Sequence, residues 1–115
     1  MTKGNVFAYQ AIGYYTVPMV RFVFASIEKY ESGSPGALHI FADFSELQSY
    51  DSKVRIEATD WFRRRGERTA TFHALMQSKL VAMGVTTMGL IANLPIRAYS
   101  GRTQFELERE RIAKL

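Results

Sequence analysis

The chain contains no cysteine. That excludes a disulfide framework, a thiolate metal site and a cysteine nucleophile, and it fits a reducing compartment, so the cytoplasm is the expected location. Proline occurs three times and glycine eight times in 115 residues, too sparsely for a collagenous or low-complexity chain. No apolar run approaches the ~18 residues of a membrane span. The start, Met1-Thr2-Lys3-Gly4-Asn5, has no signal-like apolar stretch behind it. Metal spacings of the HExxH, EF-hand or cysteine–histidine kind are missing, and Gly33 and Gly36 stand before a strand rather than a helix, which excludes a phosphate loop. Neither a metal nor a cofactor is expected.

What remains is ordinary globular material. At 47% hydrophobic and 23% charged, a chain of this length buries enough surface to fold as one domain over residues 1–115 without a metal or cross-links. Charge is uneven. Residues 1–60 hold five Lys/Arg against seven Asp/Glu, and residues 61–115 hold ten against four. The cluster Arg63, Arg64, Arg65 and Arg68 is not interleaved with aromatics, so it reads as a solvated helix end on the negative pole of the helix dipole, and no nucleic-acid partner is expected.

Periodicity divides the chain into alternating units. Val6 to Ile12 is a β-forming run that stops at Gly13. Thr16, Val17 and Pro18 open a helix whose apolar positions run from Met19 to Tyr30, ended by the breakers Ser32-Gly33-Ser34-Pro35-Gly36. Leu38 to Ala42 is apolar enough to be covered on both faces. From Ser52 to Arg65 a stripe of Val54, Ala58, Trp61 and Phe62 marks a second helix, closed by Gly66. Thr69 to Met76 is a third strand, and Ser78 caps a helix that either ends at Gly84, with a new helix capped at Thr86 or Thr87, or is a single helix broken near Gly84. Pro95 drives Leu94 to an extended conformation, so Ile96 to Tyr99 is a fourth strand. Thr103 and Glu106 form a capping box for the last helix, which runs to about Lys114. The order βαβαβαβα predicts an α/β fold, a four-stranded, mostly parallel sheet flanked by helices.

In such a sheet the loops after the strands share the carboxyl edge, where α/β proteins bind ligands. The sequence brings Thr16, Asp43, Ser45, Tyr50, Asp51, Ser52, Ser78, Ser100 and Arg102 there. These are mainly hydroxyls, suited to hydrogen bonding or modification. Catalysis is not expected: His39 and His73 lie inside strands rather than at their ends, so no base stands beside a nucleophile, and nothing desolvates either member of an Asp43–Asp51 pair.

The segment 41–52, FADFSELQSYDS, resembles the anti-sigma-factor antagonists of the STAS group, whose motif runs from a strand through an acidic residue to Asp-Ser at a helix start. GYYT, FADF, YDSxxR, Trp61, SKLVAMGV and AYSGRTQFE are similar to the STAS-like (STAS/SEC14) proteins of bacteria, largely uncharacterised, and Val6 to Ile112 follows that fold's order of elements without its first strand. The resemblance implies a non-enzymatic, regulatory, protein-binding domain. It also implies that Ser52 is the residue phosphorylated by a partner kinase, with an anti-sigma-type protein as the other partner. A phosphate there would meet free helix N–H groups and add charge beside Asp51. Lys53-Val54-Arg55 stands where the antagonists have a small residue followed by Gly-Leu. On the residues alone, Ser52 is equally a first-turn position with Asp51 as the cap, and Lys53 and Arg55 pair with Glu57. The alternative function is a small-molecule or lipid-binding module at the carboxyl edge, its pocket under the last helix lined by Met76, Met83 and Met88. A first strand left at the sheet edge predicts a homodimer.

Overall fold

The computed structural model describes residues 5–33 and 36–115. The breakers Ser34 and Pro35 and the first four residues lie outside that range. In chain order the elements are β1 (Val6–Gln10), β2 (Gly13–Tyr15), α1 (Val17–Glu31), β3 (Leu38–Phe44), β4 (Leu47–Tyr50), α2 (Ser52–Arg65), β5 (Thr69–Met76), α3 (Lys79–Ala92), β6 (Ile96–Tyr99) and α4 (Arg102–Ala113).

β1, β3, β5 and β6 form a parallel sheet in that order. Strands added in one direction with right-handed crossovers must carry their connecting helices on one face. So α1, α2 and α3 all pack there, burying Val20, Phe24, Ile27, Val54, Trp61, Phe62, Val81, Val85 and Met88 against Ile40, Ala42, Phe44, Phe72 and Ala74. α4 follows the last strand and covers the opposite face with Phe105 and Ile112. β1 and β6 are the edge strands, as expected for the first strand.

Two strands go beyond the expected βαβαβαβα order. β2 and β4 form a separate parallel ribbon, Tyr14 opposite Ser49 and Tyr15 opposite Tyr50. It continues the β1–β3 pair past a kink bridged by Ala11 N–H to Asp43 O (3.1 Å) and Gly13 N–H to Glu46 O (2.9 Å). The run expected as one strand, Val6 to Ile12, therefore stops at Gln10, and the residues expected as a loop after Asp43 re-enter a strand. Gly13 takes φ of 80° at the kink, which an L side chain rarely adopts. The other half of the kink is an Asx-type turn: Asp43 Oδ1 accepts from the Ser45 amide (3.0 Å) and hydroxyl (2.6 Å).

Helix ends differ from the sequence expectation in three places. Thr16 holds the N-cap position of α1 but its hydroxyl makes no capping bond, leaving Pro18 as the start signal. α3 runs unbroken through Gly84, Thr86 and Thr87 to the left-handed Asn93. Gly84 is needed there for contact, because a Cβ would collide with the hydroxyl of Tyr50. α4 begins at Arg102 with Gly101 as cap, so the capping box of Thr103 and Glu106 does not form. An ion pair to Asp43 (3.0 Å) holds Arg102 in the first helical position, and the helix starts two residues earlier than expected.

Arg65 corrects the solvated-arginine reading. Its side chain is 2% exposed and makes a two-pronged contact with Glu31 (2.5 and 2.7 Å). It also donates to Thr69 Oγ1 (2.9 Å) and lies over the Trp61 ring at 4.4 Å. One guanidinium thus ties the last residue of α1 to the last residue of α2, the planar fork satisfying a carboxylate that burial would otherwise penalise. Glu57, expected to pair along its own helix, instead takes Arg21 of α1 (2.6 and 2.8 Å).

Candidate functional site at the carboxyl end of the sheet

Every parallel strand of the sheet points its carboxyl end the same way, and the β2–β4 ribbon sits on that end. The site residues divide into two groups. In the first, Asp43 and Ser45 come together with Arg102: the guanidinium pairs with Asp43 (3.0 Å) and donates to Ser45 Oγ (3.0 Å). Burial pushes the Asp43 pKa up, but hydrogen bonds from the Ser45 hydroxyl and amide and the adjacent Arg102 outweigh it and leave the group below the usual carboxylate range. This is a closed polar clamp that fixes α4 to β3. Gln77 adds a second tie across the same end, its amide donating to the Ser100 carbonyl (2.9 Å).

The second group lies along the ribbon and the start of α2. The Asp51 amide donates to the Tyr15 carbonyl (2.9 Å), and its carboxylate accepts from the Lys53 amide (3.0 Å), which makes Asp51 the N-cap of α2. Thr16 follows Tyr15 directly and is half-buried. Ser52 occupies the first helical position, exposed, its hydroxyl in no hydrogen bond among the described residues. Ser78 caps α3 by accepting from the Val81 amide (3.3 Å) and donates to the Gln48 carbonyl of β4 (3.2 Å), which ties helix to ribbon. Asp43 and Asp51 thus have separate partners, Asp43 held by Ser45 and Arg102 and Asp51 capping α2. Among the described residues no group of three His, Cys, Asp or Glu side chains is placed to hold a metal.

Between the ribbon, the sheet and the three-helix layer is a cavity of about 60 Å³. Its walls are apolar apart from Tyr9, Tyr15, Tyr50 and Arg55. Tyr15 and Tyr50 line it, whereas Tyr14 is exposed. Tyr15 is 5% exposed, and its buried hydroxyl makes no well-formed hydrogen bond, interacting only electrostatically with the Tyr9 hydroxyl. Burial pushes its pKa up to about 12, so it is a neutral phenol. The cavity corrects the expected location under α4: it lies on the opposite face, and of the methionines proposed as lining only Met88 reaches it, Met76 being packed elsewhere and Met83 exposed.

Sequence inspection placed both histidines inside strands, and there they are, but it missed what they do. Thr71 Oγ1 meets His39 Nδ1 (2.7 Å) and His73 Nε2 (2.8 Å), and His73 Nδ1 meets Tyr99 Oη (2.9 Å). A hydroxyl with one proton donates to one ring and accepts from the other, so the chain runs in one direction at a time. His73 is fully buried and stacked on Phe41 at 4.0 Å. Burial above all, with His39, Arg97 and Arg111 acting the same way and Glu108 against them, lowers its pKa to about 4. The available signal was positional: residues 39, 71 and 73 share one strand parity, hence one face.

No family model matches the chain, and no curated protein matches it. Among solved structures it is similar to an uncharacterized protein of the DUF3478 family with a SpoIIAA-like fold from Shewanella loihica PV-4. The TM-score is 0.67 at 12% identity, over 88% of this chain and 81% of that one. No helix among the described residues is long and apolar enough to cross a membrane. The chain has a SpoIIAA-like, that is STAS-like, α/β fold.

Proposed function

We propose that the chain is a non-enzymatic regulatory domain that docks a protein partner through the ribbon and the start of α2, with Ser52 as a phosphorylation site that controls docking. The observation that carries this reading is the exposed Ser52 hydroxyl on the first turn of a 14-residue helix whose cap is already supplied by Asp51. Its oxygen is therefore not needed for folding. Exposed apolar side chains stand on the elements at the same end of the fold: Ile12 and Tyr14 at the ribbon, Leu80 and Met83 on the first turns of α3. Apolar residues interspersed with hydroxyls are what a protein partner covers. A phosphate on Ser52 would face the free N–H groups and positive pole of α2 while adding about two charges beside Asp51. That combination is stable on the helix yet repels an acidic partner surface. The resemblance to the antagonists supports a kinase and an anti-sigma-type protein as the partners, and a second copy pairing along the β1 edge is part of the same reading.

The test is intact-mass analysis of the protein isolated from its native host, with partner capture by the wild type, Ser52→Ala and Ser52→Asp. The expected result is a phosphate mass increment that Ser52→Ala abolishes, and a partner held by Ser52→Ala but released by Ser52→Asp. An unmodified serine, or a partner indifferent to both changes, overturns the reading.

A further inference from the structure

We infer that the groove between α2 and α3 docks an amphipathic helix of an acidic protein, its apolar side against α3 and its carboxylates toward the free cations of α2. The inference deepens the docking reading and rests on it for there being a protein partner, but it does not need Ser52 to be phosphorylated.

The outer side of α3 carries the argument. From Lys79 to Ala92 the helix has one charged residue, at its first position, whereas each of the other three helices has four or more. A helix that keeps its outer side in water carries polar and charged residues there. Here Leu80, Met83, Leu90 and Ile91 are exposed instead, Leu90 by 80% and Met83 by 68%, with only Thr86 and Thr87 between them. Residues 80, 83, 87 and 90 recur at helical spacing, so they share one side of α3 over about 15 Å. Ile91 and the exposed Ile56 of α2 line the groove of about 500 Å³ between the two helices. A groove between helices accepts the side-chain ridge of a third, and a helix with apolar residues at the same period is the matching occupant.

Charge sets the class of partner. Arg55 and Arg63 line the same groove and form no ion pair among the described residues. The two carboxylates there are taken, Glu57 by Arg21 (2.6 Å) and Asp60 by Arg64 (3.2 Å). Both helices start from the carboxyl edge of the parallel sheet, so Lys53 and Lys79 stand toward one end of the face and Arg63 toward the other. A second copy would set these cations against their own kind, and like charges across an interface are costly. A flat bilayer would span the groove without filling it. An acidic helix both fills the groove and supplies the missing charge.

The experiment is titration of the full, unphosphorylated chain with a synthetic peptide stapled into a helix, leucines on one side and glutamates on the other. Its length matches the 14 residues of α2 and of α3. Methyl NMR signals of Ile56, Leu80, Met83, Leu90 and Ile91 read the binding. Saturable shifts are expected there, with affinity about tenfold above that of the same peptide carrying lysines for glutamates, and falling as salt is raised. Leu90→Ser alters a solvent-exposed side chain, so the melting temperature should hold while the glutamate peptide binds about tenfold more weakly. Arg63→Glu combined with Lys79→Glu is expected to weaken the glutamate peptide about tenfold and to let the lysine peptide bind. Equal affinity for the two peptides, or glutamate-peptide binding unaltered in Leu90→Ser, would overturn the proposal. So would a chain that self-associates in sedimentation until Leu90→Ser is introduced, which makes a second copy the occupant. A chain that ignores the peptide yet sediments with phosphatidylglycerol vesicles overturns it too, in favour of a membrane. Ser52 enters none of these readouts, so failure here leaves the phosphate increment and its test standing, and failure there leaves the peptide result standing.

Discussion

The two faces of the central sheet solve the problem of burial differently. On the three-helix face, Phe7, Ile40, Phe72 and Ile96 lie in register across the strands, with Tyr9, Ala42, Ala74 and Ala98 in the next row. Below them the rings of Phe24 and Trp61 stack at 3.9 Å, and Phe62 meets both edge-on. On the α4 face the corresponding rows are Val6, His39 and Thr71, then Ala8, Phe41, His73 and Arg97, then Gln10, Asp43, Leu75 and Tyr99. One face is an apolar, aromatic-filled layer. The other carries polar groups into the interior, where His39, Thr71, His73, Tyr99 and Asp43 are each given a partner. Three helices exclude water from the first face, so packing decides its energy; a single helix covers the second, so hydrogen bonding decides there.

The largest effect expected is on the first face. Phe72→Ala removes a 2%-exposed ring from between Phe44 and Phe62 and should cost ~3–5 kcal/mol, read as a lower urea midpoint at unchanged slope. A cost under about 1 kcal/mol would mean that the three-helix layer is loosely packed and the contrast between faces is false.

Acid should act on the second face. His73 titrates at about 4 in the folded state because burial disfavours its cation, against about 6.5 when unfolded. Above pH 6.5 neither state is protonated and stability is at its plateau. Between 6.5 and 4 the unfolded chain takes up the proton first, so stability falls as pH drops, by an amount on the order of 2–3 kcal/mol. Burial and Arg111 lower His39 as well, so it acts in the same direction. Asp43, whose pKa is also lowered, adds its loss only as pH falls below its unfolded value near 4. Urea unfolding from pH 7 to pH 4.5 reads the slope; a flat profile would show that His73 is solvated in the folded protein.

The smallest and sharpest contrast is a pair of tyrosines. Tyr99→Phe strips the partner from His73 Nδ1 and should cost ~1–2 kcal/mol, whereas Tyr15→Phe removes a hydroxyl without a well-formed hydrogen bond, near Tyr9 only, and should be neutral or stabilising by ~1 kcal/mol. Thermal melts of the two variants check this. Equal costs would show that the Tyr15 hydroxyl is satisfied after all.

These contrasts also explain which parts could be read without coordinates. β5 and β6 have the boundaries that the sequence indicated, and α2 runs from Ser52 to Arg65 as its apolar stripe required. Elements of this kind are fixed by signals a few residues apart: a cap, a breaker, a period. β4 was missed because Leu47–Tyr50 is four residues long and gains its strand identity from pairing with β2, more than thirty positions earlier. Arg65 was read as solvated for a similar reason. Trp61, one turn back, lies on the same helix face, but nothing near Arg65 in sequence announces Glu31. Of the site residues, Asp51 as a cap and Ser52 as an exposed first-turn serine followed from local chemistry, while the ties of Asp43 to Arg102 and of Ser78 to Gln48 span long stretches of chain.

Local residue order was sufficient for the alternating α/β plan and for the parallel sheet, because propensity, capping and hydrophobic period act within one or two turns and need no distant partner. Which face became polar, where the cavity opened and which arginine was buried rested on contacts between residues dozens of positions apart. Burial energies and ion pairs arise only when the folded chain brings those groups together and removes the water between them.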